Sequence, residues 1–195
     1  MRLWGLTALL LVLPAVAQAQ SLSVDLGEGG SITATSIQLI ALITLLSLAP
    51  GIAIMITCFP FIVTVLAILR QAVGLQQSPP NMLIVSLALF LTYFVMEPVF
   101  TEAWEVGIEP LVEEQIEITE AFNRAIVPFR EFMAGRMDPD TFAAIAELRP
   151  DGDGMVLEPD APLSVLVPSF MLSEVARAFQ VGFLIFLPFL IIDLV

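Results

Sequence analysis

Two long apolar stretches, separated by one short polar segment, limit what this chain can fold into. No Asp, Glu, Lys or Arg occurs from residue 29 to residue 69, and none from Gln71 to Met96. An apolar run of about 18 residues or more is long enough to cross a bilayer as a helix. Apolar surroundings leave backbone amides no partner except one another, so such runs fold as helices. The polar segment between them, Arg70 to Asn81, is too short for anything but a turn. The expected unit is a helical hairpin over residues 37–100.

Proline and glycine punctuate this region. Pro50 is expected to kink the first arm or restart it at Ala49-Pro50, because proline removes an internal hydrogen bond. Pro60 is a second such position. Gly74 fits a helix C-cap, and Pro79-Pro80 can end one helix and open the next. Arg70 is the single basic residue between Ser21 and Asn123, and the positive-inside tendency puts this turn in the cytoplasm. Gln76, Gln77 and Asn81 offer hydrogen-bond donors there. Desolvated polar groups need partners, so these three and Arg70 are candidate subunit contacts. An acid such as Asp193 or Glu174 is the expected partner of Arg70. Glu97 closes the second arm as an interfacial acid.

Upstream, residues 1–19 have the form of a secretory signal: Arg2, an apolar core from Leu3 to Val16 containing Pro14, and Ala17-Gln18-Ala19 as a small-x-small site. Cleavage is expected after Ala19, which leaves the new N-terminus outside the cytoplasm. Residues 20–36 form a Gly-rich lead-in.

Residues 101–160 hold most of the acids and are expected to form a small helical domain outside the cytoplasm. Val112, Ile116, Phe122 and Ile126 recur at nearly helical spacing, which predicts an amphipathic helix. Glu120 and Arg124 stand at i,i+4 and can pair. Val127–Met133, VPFREFM, reads as a short helix or turn. Asp138-Pro139-Asp140 is a helix start, with Asp as N-cap and Pro at the first position; Phe142, Ile145 and Leu148 then share a face. Asp151-Gly152-Asp153-Gly154 begins like a calcium loop but has Met155 where a further oxygen ligand is required, so a surface turn is expected.

Membrane character returns at residues 161–195, the expected start of a second, truncated hydrophobic hairpin. Glu174 and Arg177 stand at i,i+3 and can pair on one helix face. Asp193 is an acid inside an apolar run, a common mark of function.

Composition sharpens these expectations. The 195 residues are 58% hydrophobic, against the roughly 45–50% of soluble domains, and the net charge is −13. Nucleic-acid binding needs a basic face and is excluded. The chain has no His, hence neither the commonest catalytic base nor the commonest metal ligand. The one cysteine, Cys58, reads as a small core residue. The acids are unaccompanied by a nucleophile, base or metal-ligand set. No enzyme activity and no cofactor are expected. The fold class is all-α: a multi-helix membrane protein of kinked helical hairpins with a small acidic helical extracytoplasmic domain.

Three blocks of sequence resemble the FliP family of flagellar type III export-gate subunits. They are LRQAVGLQQSPPNMLIVSLALFLTYFVMEPVF, VPFREFM, and PLSVLVPSFMLSEVARAFQVGFLIFLPFLIIDLV. The resemblance covers nearly everything from Ile37 to Val195 except the acidic stretch. It departs at Phe61, where the family usually has a basic residue, and at Glu97, where it usually has a small one. The resemblance implies a non-enzymatic, pore-forming subunit of the flagellar protein export gate at the basal body in the cell inner membrane. Its implied partners are further copies of itself, FliQ-like and FliR-like subunits, FlhA/FlhB-like export components, and the unfolded flagellar subunits that pass through. The family also continues past Asp193 with a further hydrophobic hairpin.

Other readings of the same residues are a small multi-spanning ion channel or carrier, with Arg70, Glu97 and Asp193 as pathway charges, and the homologous gate of a virulence injectisome. A third is a membrane anchor whose acidic domain binds a partner outside the cytoplasm.

Overall fold

A computed structural model describes residues 32–74, 79–152 and 154–194, with side chains from residue 36 to residue 192 within those limits. The signal and its Ala19 cleavage site, Gln76, Gln77 and the Asp193 side chain lie outside the described residues. The described residues are helical, without strands. In order they form α1 (Ile32–Met55), α2 (Phe59–Ala72), α3 (Asn81–Ala103), a π-helical turn (Trp104–Ile108), α4 (Glu109–Val112), α5 (Ile118–Ala125), α6 (Val127–Arg136), α7 (Pro139–Ala146) and α8 (Leu163–Leu194). The described residues fall into two units that divide between Leu45 and Leu46. The described part of the first belongs to α1 and is exposed wherever its side chains are described.

Helices within 36–55, 81–112 and 163–192 are long and apolar enough to cross a membrane. The prolines are distributed by their cost. Pro60 and Pro128 sit in the first turns of α2 and α6, where a missing N–H is harmless, and Pro80 immediately precedes α3. Pro50, Pro98, Pro168 and Pro188 lie inside α1, α3 and α8. The expected restart at Ala49-Pro50 is therefore corrected: the first arm breaks at residues 56–58, before Pro60. In apolar surroundings a broken helix exposes more backbone than one proline does, so the helix continues.

α2 contacts α3, but its most extensive contact is along α8, more than 90 positions later in the sequence. Gly74 takes φ +75°, the left-handed exit from α2 that glycine permits. Glu97 does not end the second arm, since α3 runs on to Ala103.

The acidic region departs from its expected pattern. Glu114, at φ 58°, turns the chain between α4 and α5, so 112–126 is not one helix. The face that packs inward there belongs to small residues: Gly107 and Ala121 are buried, while Val112 and Phe122 are exposed. A Cβ on Gly107 would stand 2.7 Å from the Ala125 Cβ and 2.8 Å from the Ala121 carbonyl oxygen. The π turn and α5 approach so closely that a larger inward side chain has no room. The core proper joins Met133, Met137, Phe142 and Ala146 of α6–α7 to Val165, Leu166 and Phe170 of α8.

Beyond Phe170, α8 has an inverted distribution of residue types: Ser173, Glu174, Ala178 and Gly182 are buried, while Leu172, Phe179, Phe183 and Leu184 are exposed. α3 buries Ala88 and Thr92 between Ile84 and Met96 and leaves Phe90, Tyr93 and Phe94 outside. Small and polar residues at helix contacts, with large apolar ones outward, is the arrangement of helices in an apolar medium.

Candidate functional site

Where α6 and α7 meet α8, three charged side chains converge. α8 presents Glu174 inward, and its side chain is 0% exposed. α6 ends at Arg136, whose Nε and Nη2 donate to the Glu174 Oε1 and Oε2 at 3.1 and 3.2 Å, a two-pronged pair. Arg177, one turn further along α8, donates from Nη1 to Oε1 at 3.3 Å and from Nη2 to the Arg136 carbonyl at 2.7 Å. A buried carboxylate is costly unless paired and hydrogen-bonded; this one has two cations. The Arg136 guanidinium also lies 5.5 Å from the Phe132 ring centre and 5.8 Å from that of Phe61, within cation–π range. α2, α6 and α8 thus meet at one arginine.

The next turn continues the junction with neutral groups. The Asp138 backbone N–H donates to the Ser173 hydroxyl at 3.1 Å, and that hydroxyl donates to the Ser169 carbonyl at 2.8 Å. Asp138 caps α7, accepting from the Thr141 N–H at 2.9 Å and the Thr141 hydroxyl at 2.7 Å. These hydrogen bonds, the hydroxyl's foremost, hold the Asp138 carboxyl below the usual carboxylate range. Arg130 donates to the carbonyls of Pro159 and Ala161, tying α6 to the start of α8.

This arrangement can hold helices together. It presents no nucleophile with a base, and among the described residues no group of three or more His, Cys, Asp or Glu side chains is placed to hold a metal ion.

Arg70 and Asn81 are brought together: the Arg70 guanidinium donates to the Asn81 side-chain oxygen, closing the turn between α2 and α3. Glu174 and Arg177 are brought together on α8, in the buried cluster just described. The two sets are separate, and within the chain Arg70 and Glu174 do not pair. Glu174 had two nearer cations to satisfy it, one of them Arg136. The Glu120–Arg124 pair forms at 2.8 Å on the surface.

Sequence reasoning missed Arg136. A signal existed: an acid within an apolar helix needs a cation beside it, and Arg136 directly precedes the Met137-Asp138-Pro139 junction that turns α6 into α7. Phe61, where the chain departs from the family pattern, faces the Arg136 guanidinium, a placement that spacing along the sequence does not reveal.

A model of the FliP family matches residues 42–195. The chain is 47% identical over 189 residues to the flagellar biosynthetic protein FliP of Caulobacter vibrioides, covering 94% of this chain and 69% of that protein. It is 45% identical over 190 residues to the protein of that name from Rhizobium meliloti, covering 95% and 78%. The one from Bacillus subtilis is 41% identical over 161 residues, covering 83% and 72%. With the all-helical fold and its three apolar helices of membrane length, these matches assign the chain: it belongs to the FliP family.

Proposed function

We propose that this chain is a pore-forming subunit of the flagellar type III protein export gate. In this reading it sits in the cell inner membrane at the basal body, with its acidic helical region outside the cytoplasm. Copies of the chain assemble with FliQ-like and FliR-like subunits, and the gate works with FlhA/FlhB-like export components. Unfolded flagellar subunits pass through the enclosed channel. The role is structural: the chain builds a passage and performs no chemistry.

The observation that supports this reading is the outward face of α3 and α8. Phe90, Tyr93, Phe94, Phe179, Phe183 and Leu184 are all more than half exposed, far more aromatic surface than a soluble monomer leaves in water. Family membership supplies the flagellar context, through relatives named for flagellar biosynthesis. In the assembly, Arg70, Asn81, Gln76, Gln77 and Asp193 remain the candidates for polar contacts between subunits, with Glu174 and Arg177 serving the buried cluster within each chain.

Deletion of the gene in its own bacterium tests the reading. The expected result is loss of filament and hook subunits from the medium while they persist inside the cell, with export restored by the intact gene. Normal export by the deletion strain would overturn it.

A further inference from the structure

Where α4 turns into α5, the surface opens a shallow cleft of about 460 Å³. Leu111, Ile116 and Ile118 line it with hydrocarbon, and the exposed Glu114 and Glu117 add two carboxylates. Two apolar stripes lead away from it at one residue per helical turn. Trp104, Ile108 and Val112 follow the π turn and α4; Ile118 and Phe122 follow α5. Trp104, Val112, Ile118 and Phe122 are each more than half exposed. An acid follows each member of the first stripe, so Glu105, Glu109 and Glu113 edge the hydrocarbon with a row of carboxylates. Glu97 to Asn123 holds eight acids and no Lys or Arg, and the next base, Arg124, pairs with Glu120. Among the described residues Glu105, Glu109, Glu114 and Glu117 make no ion pair. Like charges four apart on a helix repel, a cost that an arriving cation would remove.

From this juxtaposition we infer that the cleft and its two stripes dock an amphipathic helix of another protein. Its apolar face lies on Val112, Ile118 and Phe122, and its Lys or Arg side chains meet Glu114 and Glu117. A helix offers side chains at the same spacing as the stripes, about 5.4 Å per turn. A Lys or Arg stem can lie along Leu111 and Ile116 while its charged end reaches the carboxylates. Charge complementarity selects the partner. A second copy of this chain would set the same eight acids against these, and an anionic lipid surface is repelled in the same way. The carboxylates keep this segment in water whatever covers α3. Docking here holds whether or not the chain builds a gate.

The test uses the full chain, purified in a non-ionic detergent with whatever co-purifies. The probes are three fluorescent peptides of about five helical turns. One has leucine on one face edged by lysine, one has glutamate in place of lysine, and one is the lysine peptide shuffled so that no apolar face forms. Fluorescence anisotropy, corrected for empty micelles, reads the affinity. The first peptide should bind about tenfold more tightly than either control, as two exposed ion pairs allow, and added salt should weaken it. Glu114→Gln with Glu117→Gln should lose that advantage with the melting temperature unchanged. Glu147→Gln with Glu158→Gln, the same charge change at two other exposed positions, should keep it. Glu114→Lys with Glu117→Lys should turn the preference towards the glutamate peptide. In a second arm, a photo-crosslinking residue replaces Ile118 in the bacterium itself. The crosslinked stretch should belong to a different protein and carry Lys or Arg beside an apolar face. Equal affinity for the three peptides overturns the inference, as does equal loss in the two pairs of Gln variants. So does a crosslink to a second copy of this chain, to lipid or to a stretch without Lys or Arg, or no crosslink at all.

Discussion

Ile68 of α2 rests on Gly182 of α8 so closely that a Cβ at position 182 would stand 2.4 Å from the Ile68 Cδ1 and 3.2 Å from its Cβ. The two residues are 114 positions apart, and their contact lies in the seam between α2 and α8. Glycine is used here for proximity: with no side chain on α8, the branched side chain of Ile68 lies directly against the other backbone.

Replacing that glycine separates the helices. Gly182→Val is expected to destabilise the chain by about 2 kcal/mol, in the range for overpacked sites. Gly182→Ala should cost less, because Ile68 can move its outer methyl. Ile68→Ala alone should cost about 2–4 kcal/mol for its cavity, but combined with Gly182→Ala the two effects should fall short of their sum. Thermal unfolding of the four proteins in one detergent measures the coupling. Strict additivity would mean the residues do not touch.

The Glu174 cluster predicts an ordering of variants. Glu174→Ala leaves two arginines facing an empty buried site and should cost about 3 kcal/mol or more. Arg136→Ala removes the two-pronged partner and the ring contacts with Phe61 and Phe132. It should cost more than Arg177→Ala, whose loss leaves the carboxylate still paired. Arg136→Lys should rescue little, since a single ammonium cannot reproduce the fork. Denaturant midpoints of the four variants give the order directly. An Arg177→Ala cost exceeding that of Arg136→Ala would reverse the assignment.

Asp138 predicts an acid-side dependence. Its carboxyl is held below its ordinary value, mainly by the Thr141 hydroxyl and then by the Thr141 N–H. Folding therefore favours its ionised form. The stabilisation is fully present above the ordinary carboxylate pKa of about 4 and is lost as pH falls through the lower folded value. Asp138→Asn keeps an N-capping oxygen but cannot ionise. Wild type should thus outmelt Asp138→Asn at pH 7, and the gap should shrink steadily towards pH 2. A gap independent of pH would show that the charge contributes nothing.

A fourth prediction concerns the π turn. Gly107→Ala sets a methyl 2.7 Å from Ala125 and 2.8 Å from the Ala121 carbonyl. Both obstacles belong to, or are fixed to, the α5 backbone, so the turn must move. We expect α5 to detach and the amides of 118–125 to exchange with solvent faster, while those of α6 and α7 keep their protection. Hydrogen exchange read by mass spectrometry distinguishes this from global unfolding.

These elements differ in how far the sequence revealed them, for physical reasons. Asp138 and Gly74 act through their own neighbours, a cap three residues away and a left-handed turn, and both were legible. The restart expected at Pro50 is absent because proline's cost depends on the medium: in an apolar one, interrupting the helix costs more than the missing hydrogen bond. The stripe Val112, Ile116, Phe122, Ile126 misled because apolar spacing identifies one face without telling whether that face turns inward, and small residues claimed the interior. Arg136 and Glu174 are 38 positions apart, and their charges reveal a need for partners without naming which. Gly182 carries no sequence signal at all, since its role is to be absent from the space that Ile68 fills.

The account rests on the exposed aromatic faces of α3 and α8 being covered by other chains of a gate. Native mass spectrometry of the full-length gene product, co-expressed with its flagellar neighbours and purified through a tag on this chain, measures that directly. The account predicts a single large assembly holding several copies of this chain together with FliQ-like and FliR-like subunits. A mass equal to one copy, stable and with no other polypeptide bound, would contradict it.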